Sequence, residues 1–276
     1  MHYINIKNVI CVVTQTLLFF FPSSVHSQFQ QAGLPYIQNF TPQEYGAHSQ
    51  NWAIAQDQRG LIYVGNTNGL LEYDGVTWRL IKPSGKARIV LSLAIDNNNR
   101  IYVGSYNEFG YLAPDSIGQM HYISLMDRLP QTYHQCKHVW YAHVVDQSVY
   151  FMTPKYIFRY TNGIFKVWEA STTYRKTFLY DQKLFVKQEN LGLMQLQDDS
   201  LQAVSGTNIL KNNYVFAILP HDEENTLIGT LEKGLYQYNG TNLMPFSASS
   251  RRLIIDSKCA GGLMLADSSI ALSSYK

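Results

Sequence analysis

Three glutamates, Glu108, Glu189 and Glu232, come nearest in type and placement to a reaction. Each stands between two short apolar runs, in a loop joining strands. Loops of that kind gathered at one end of a molecule could set two carboxylates on either side of a glycosidic bond. His134 and His138 are four residues apart, the spacing of two metal ligands on a helix. Here the second leads into an extended run, where four residues span about 13 Å, and no third ligand accompanies them. No G-x-S-x-G elbow and no G-x-x-x-x-G-K-[S/T] phosphate loop occurs. Asp57 and Asp96 open QDQRG and DNNNR, in which an aspartate bonds the backbone of its own turn. The sequence therefore predicts no catalytic residue, no metal site and no cofactor. The chemistry that remains is recognition.

The elements that would position these residues repeat. LIYVGNTNGLLEYDG begins at Leu61, RIYVGSYNEFGYLAPD at Arg100 and TLIGTLEKGLYQYNG at Thr226, with worn copies from Ser148 and Lys183. An apolar run precedes each: Trp52–Gln56, Val90–Ile95, Val139–Val145, Thr177–Tyr180 and Val215–Leu219. Asp74-Gly75, Asn162-Gly163 and Asn239-Gly240 supply the positive φ of tight hairpins. Four short antiparallel strands recurring at roughly forty residues are propeller spacing. The fold expected is all-β, a β-propeller of four-stranded antiparallel blades over 50–82, 88–125, 137–170, 174–205 and 213–247, with a partial sixth over 251–276 that opens at Arg251. No long 3.6-residue periodicity interrupts it, so little helix is expected. Trp52, Trp78, Trp140 and Trp168 fall in strands and read as core, and most of the twenty tyrosines suit half-buried blade surfaces.

Residues 1–27 differ. Lys7 leads an apolar run from Val9 to Phe21, followed by Pro22 and small or polar residues to Ser27, the build of a secretory signal peptide. Removal would leave a periplasmic or otherwise extracytoplasmic domain over 28–276. Cys136 and Cys259 would remain, expected as two buried free thiols. With 276 residues, 46% hydrophobic, the chain can bury a substantial core. A net charge of +2 without a basic block argues against nucleic-acid contact. Asn239-Gly240-Thr241 matches a glycosylation sequon but coincides with a hairpin turn.

In up-and-down blades, alternate turns point the same way. The loops leading into strand 1 and those between strands 2 and 3 therefore share one end. The first set holds His48, Asn51, Arg88, His138, Arg175, Tyr214 and Arg252. The second holds Asn66, Asn68, Tyr106, Asn107, Glu108, Lys155, Glu189, Asn190, Glu232 and Lys233. Of these, Arg88, Tyr106, Asn107, Glu108, His138, Lys155, Arg175, Glu189, Tyr214 and Arg252 are the candidate ligand-binding residues. Planar forks, amides and aromatic faces suit a small polar or anionic, saccharide-like ligand.

WAIAQDQRGLIYVGNTNGLLEYDG and SLAIDNNNRIYVGSYNEFGYLAPD resemble the repeats of two-component-regulator propellers, the extracytoplasmic sensor halves of membrane regulators abundant in Bacteroidetes-type bacteria. GLPYIQNFTPQEYGAHSQNWAI resembles the opening of regulators whose propeller is followed by a triple-tyrosine domain, a membrane helix and a cytoplasmic output domain. The resemblance spans roughly Gly33 to Phe246. It implies a sensor that works with downstream domains, as a dimer when full length and anchored in the inner membrane. Family members generally close with about seven blades, whereas five complete units are present here, so the chain reads as the N-terminal fragment of a longer regulator. Two other functions stay open: a propeller enzyme acting on glycans, a lyase or glycosidase using the three glutamates, and a platform for other proteins.

Overall fold

The computed structural model describes residues 37–83, 88–246, 248–265 and 267–274. The signal-peptide expectation over 1–27 lies outside the described residues. From Phe40 onward the chain is one unit of nearly pure β-structure.

Blade 1 comprises β1 (Asn51–Gln56), β2 (Ile62–Asn66), β3 (Gly69–Tyr73) and β4 (Trp78–Ile81). Blade 2 comprises β5 (Val90–Ile95), β6 (Ile101–Ser105), β7 (Phe109–Pro114) and β8 (Met120–Ser124). Blade 3 comprises β9 (Tyr141–Val145), β10 (Ser148–Met152), β11 (Tyr156–Thr161) and β12 (Ile164–Glu169). Blade 4 comprises β13 (Tyr174–Tyr180), β14 (Lys183–Gln188), β15 (Gly192–Gln197) and β16 (Ser200–Ala203). Blade 5 comprises β17 (Val215–Pro220), β18 (Thr226–Thr230), β19 (Gly234–Tyr238) and β20 (Leu243–Pro245). A hairpin of β21 (Cys259–Met264) and β22 (Ile270–Ser274) forms the sixth sheet. Every sheet is antiparallel and built from consecutive strands. The first strands of successive sheets lie side by side, which makes them the inner strands of a propeller.

The turns form as their side chains dictate. Asp57 Oδ1 accepts from the backbone N–H of Arg59 at 2.9 Å and of Leu61 at 3.1 Å. Asp96 Oδ1 does the same for Asn98 and Arg100, both at 2.9 Å. Asn162 at φ 49° and Gly163 at φ 88° make the positive-φ pair expected of a two-residue hairpin. Of the Asp74-Gly75 pair in the first blade, only Gly75 takes positive φ. There Asp74 Oδ1 instead accepts from Val76 N at 2.9 Å and Thr77 N at 2.7 Å.

Blades pack face to face through apolar clusters. Tyr63 and Leu70 of blade 1 meet Val90, Ile101 and Val103 of blade 2. Phe109 of blade 2 stacks on Phe151 of blade 3 with ring centroids 4.4 Å apart. Phe178 and Leu193 of blade 4 meet Val215 and Ile228 of blade 5. The outer flank of blade 1 is covered by the segment before it. Phe40 stands edge-on to Trp78 at 5.2 Å, and Tyr45 packs on Val64 and Leu71. Tyr45 ends the short helix α1 (Pro42–Tyr45), whose capping box pairs Thr41 with Glu44, with Thr41 N donating to Glu44 Oε2 at 2.6 Å.

One stretch departs from the sequence reading. RRLIID, read as the opening of the sixth unit with Arg252 in the loop before its inner strand, lies in helix α2 (Ala248–Ser257), and the inner strand starts at Cys259. Arg252 and Asp256 form an i,i+4 ion pair at 3.6 Å. Ile254 is buried with Phe216, Leu227 and Cys259, which packs the helix against blade 5. Cys136 and Cys259 are buried and unpaired, in different inter-blade clusters. Burial pushes the Cys136 thiol up to about 12. Among the described residues no helix is long and apolar enough to cross a membrane.

Candidate functional site

The end of strand 2 carries a buried polar residue in each of the five four-stranded blades: Asn66, Ser105, Thr153, Gln188 and Thr230. These residues organise the loops at that end. Asn66 Nδ2 donates to Asn51 Oδ1 at 2.7 Å and to the His48 carbonyl, while its Oδ1 accepts from Asn68 N at 2.9 Å. Thr153 Oγ1 accepts from Tyr156 N at 2.8 Å, and Thr230 Oγ1 donates to Gly234 O at 2.8 Å. Ser105 Oγ donates to Ile89 O, and Gln188 Nε2 donates to Ser171 Oγ at 3.1 Å. Each residue ties the loop leading into its blade, or the loop between strands 2 and 3, to the sheet. The two loop sets thus share one end, the mouth.

Tyr106, His138 and Asn107 come together there. Tyr106 and His138 form an isolated antiparallel bridge between blades 2 and 3, and their rings meet edge to face at 4.8 Å. The His138 ring stacks on Trp140 at 5.0 Å, and Trp140 in turn meets Trp52 of blade 1 at 6.1 Å. Asn107, at φ 52°, donates its N–H to Lys137 O at 2.8 Å, so it braces the loop.

Trp52 and Trp140 overturn the expectation that the tryptophans are core. They are 42% and 36% exposed and Tyr106 is 44% exposed, which leaves aromatic surface open at the mouth. Strand periodicity hid this, because Trp52 sits at the register irregularity that starts β1 and Trp140 precedes β9. Trp78 and Trp168 are partly buried in their blades.

A second group lies between blades 4 and 5. Arg175, Glu189 and Tyr214 line a cavity of about 240 Å³ with Lys187, Lys211 and Asn213. Arg175 pairs with Glu189, which holds the Glu189 carboxyl below its usual range, chiefly by that hydrogen bond. Lys187 was not among the expected residues, although its signal is visible in the repeat. It occupies the place of Gly65, Gly104 and Gly229 in the other copies.

Four expected residues stand apart from these groups. Glu108 turns back to the outer strand of its own blade, accepting from Tyr122 OH at 3.0 Å and Ser124 Oγ at 2.8 Å, and burial raises its carboxyl. Lys155 pairs with Glu169 at 3.1 Å, at the edge of blade 3. Arg252 lies on α2 because that stretch is helical, with its side chain in solvent. Arg88 is exposed in the loop before β5. His134 bonds the Leu129 carbonyl at 3.1 Å, whereas His138 packs between Tyr106 and Trp140.

A larger cavity, of about 470 Å³, opens at the opposite end between blades 2 and 3, lined by Asp96, Asn97, Arg100, Asp146 and Asn162. Asp96 there is already engaged by the backbone of its turn and by Tyr102 OH at 3.3 Å. The mouth offers uncommitted aromatic surface and a charged cavity, and is the better candidate for recognition.

Among the titratable groups on the inner strands are His143 and Lys176. His143 Nε2 lies 2.9 Å from Thr177 Oγ1 of blade 4, and burial pushes its imidazole down to about 4. Lys176 Nζ donates to the Ala260 carbonyl of the sixth sheet at 3.2 Å, and burial lowers it to about 8.

No family model and no curated protein matches the chain. Solved structures do. A streptogramin B lyase is 13% identical with a TM-score of 0.58, covering 81% of this chain and 76% of its own. PorZ, a surface component of the type-IX secretion system of Porphyromonas gingivalis, is 11% identical with a TM-score of 0.60, covering 82% of this chain and 37% of its own. The extracellular domain of a putative one-component system of B. thetaiotaomicron is 16% identical with a TM-score of 0.50, covering 81% and 37%. At such identities the likeness establishes the fold, and the chain is a β-propeller.

Proposed function

We propose that this chain is the ligand-receiving propeller of an extracytoplasmic signalling protein, and that it takes a small polar, saccharide-like ligand at the mouth. The observation that carries the reading is the row Tyr106, His138, Trp140 and Trp52. It crosses three blades and keeps aromatic surface in solvent at the end that also carries the cavity of Arg175, Glu189 and Tyr214. Aromatic faces bury the apolar face of a sugar ring while neighbouring forks and amides take its hydroxyls. The repeats resembling two-component-regulator propellers, the apolar stretch from Val9 to Phe21 and the likeness to the extracellular domain of a putative one-component system support the same placement.

In this reading the ligand acts by favouring one packing of a dimer over another, through domains beyond the propeller. A glycan-cleaving enzyme would need two carboxylates flanking one bond. Glu108, drawn to Tyr122 and Ser124, and Glu189, paired with Arg175 on another blade, favour binding over cleavage. Binding to a saccharide panel, with Trp140→Ala as the variant, is the test. At least one saccharide should bind the native chain and lose affinity in the variant, with no product formed. Turnover, or binding indifferent to Trp140, would refute the reading.

A further inference from the structure

The inner strand and its neighbour pair small residues on the face turned toward the next blade. Ala53 pairs with Gly65, Ser92 with Gly104, Ala217 with Gly229 and Gly261 with Ser273. Blade 3 pairs Tyr141 with Met152. Blade 4 pairs Lys176 with Lys187. Like charges directly opposite one another across two strands repel, and burial adds the loss of hydration.

Lys187 is 3% exposed, and its Nζ donates to Lys211 O at 2.7 Å and Gln188 O at 3.3 Å. Lys176 is held by one carbonyl, that of Ala260. Among the described residues neither lysine takes part in an ion pair. Lys187, Arg175 and Lys211 line the mouth-side cavity between blades 4 and 5, where the only carboxylate among the described lining residues, Glu189, is held by Arg175. The fold has gathered three cationic side chains here against one carboxylate.

We infer that this cavity receives the oxyanion of the ligand, a sugar carboxylate or sulfate ester, with Lys187 as the buried cation that meets it and Arg175 and Lys211 beside it. The inference rests on the mouth being the ligand-receiving end, and it names the ligand as acidic. Charge-assisted hydrogen bonds are short and strong, and more so where water is partly excluded. At about 240 Å³ the cavity suits one charged end group and not a whole oligosaccharide, leaving the remainder of the ligand to the aromatic row.

The test is calorimetric titration of the full chain at pH 7 and constant ionic strength with D-glucuronate, D-glucose 6-sulfate and D-glucose, repeated on Lys187→Met. Methionine fills the same register position in blade 3, so the variant should fold, and its urea midpoint should equal or exceed that of the native chain. One or both charged sugars should bind the native chain at least about tenfold more tightly than glucose, and that preference should fall to within about threefold in the variant. Preference for glucuronate alone identifies a carboxylate, and for the sulfate alone a sulfate ester. Equal binding of charged and neutral sugars, no binding of either charged sugar, or a preference that survives Lys187→Met overturns the inference. Glucose binding that depends on Trp140 without any charge preference removes this inference and leaves the mouth as the ligand-receiving end.

Discussion

Trp52 of the first blade and Trp140 of the third stand edge to face with ring centroids 6.1 Å apart, over the second blade that separates them. Trp52 is fixed by its indole N–H, which donates to Thr67 Oγ1 at 3.1 Å, and Trp140 by the stacked His138. Two large apolar rings are thus held in place while part of each remains in water, an arrangement that folding alone does not require.

Replacing Trp140 by alanine should therefore cost little stability and much affinity. The expectation is a change in unfolding free energy below about 1 kcal/mol, because the ring is half-exposed. Affinity for a saccharide found by panel screening should fall about tenfold. Titration and urea unfolding of the same preparation check both, and a large stability loss with intact binding would make the ring structural.

Gly65→Ala should destabilise the first interface between blades. An added Cβ would lie 2.8 Å from the Val90 carbonyl and 3.0 Å from Val90 Cγ1, and the carbonyl belongs to the inner strand of the next blade. Overpacking of this kind costs about 1–3 kcal/mol. A urea midpoint equal to that of the native chain would show that the blades can part without penalty.

Asn66→Ala should loosen the mouth from below. It leaves Asn68 N and the His48 backbone without side-chain partners in a part-buried site, and a loss of about 1 kcal/mol is expected. Amide hydrogen exchange should quicken in the loops around His48 and Asn68 and stay unchanged in blades 3 to 5. Uniform quickening throughout would contradict this local role.

Acid should weaken the fold through His143. Its folded-state value of about 4 lies below that of the unfolded chain, near 6.5, so the unfolded state takes up the proton first. The stability held by the neutral imidazole is complete above about pH 6.5 and is lost as the pH falls toward 4. His143→Gln should remove roughly 2 kcal/mol of the difference in stability between pH 7 and pH 4. Parallel pH profiles in the two proteins would place the acid sensitivity elsewhere.

The repeats made the fold legible, since each YVG-like phrase followed by a polar turn leaves a chain few alternatives to a four-stranded blade. RRLIID escaped because a short apolar run has no decisive period, and the helix packs on blade 5 through Ile254, a contact that periodicity does not show. At the mouth, connectivity alone brought Tyr106 to His138 and Arg175 to Glu189. The direction in which a loop side chain turns was not legible. Glu108 and Lys155 occupy mouth loops, yet each found a closer partner on its own outer strand. Trp52 and Trp140 were masked by their place at strand margins, where alternation no longer tells inside from outside.

Every described sheet takes its strands from one uninterrupted stretch of chain, and none borrows a strand from a distant one. Contacts that hold a blade are therefore close in sequence, and the entropy of closing long loops is not a barrier to forming it. The first blade carries cover for one flank, Phe40 and Tyr45, from the segment just before it, and takes the rest from the second blade. Folding can therefore start at any blade and spread from it, each sheet docking on a neighbour made from adjacent chain.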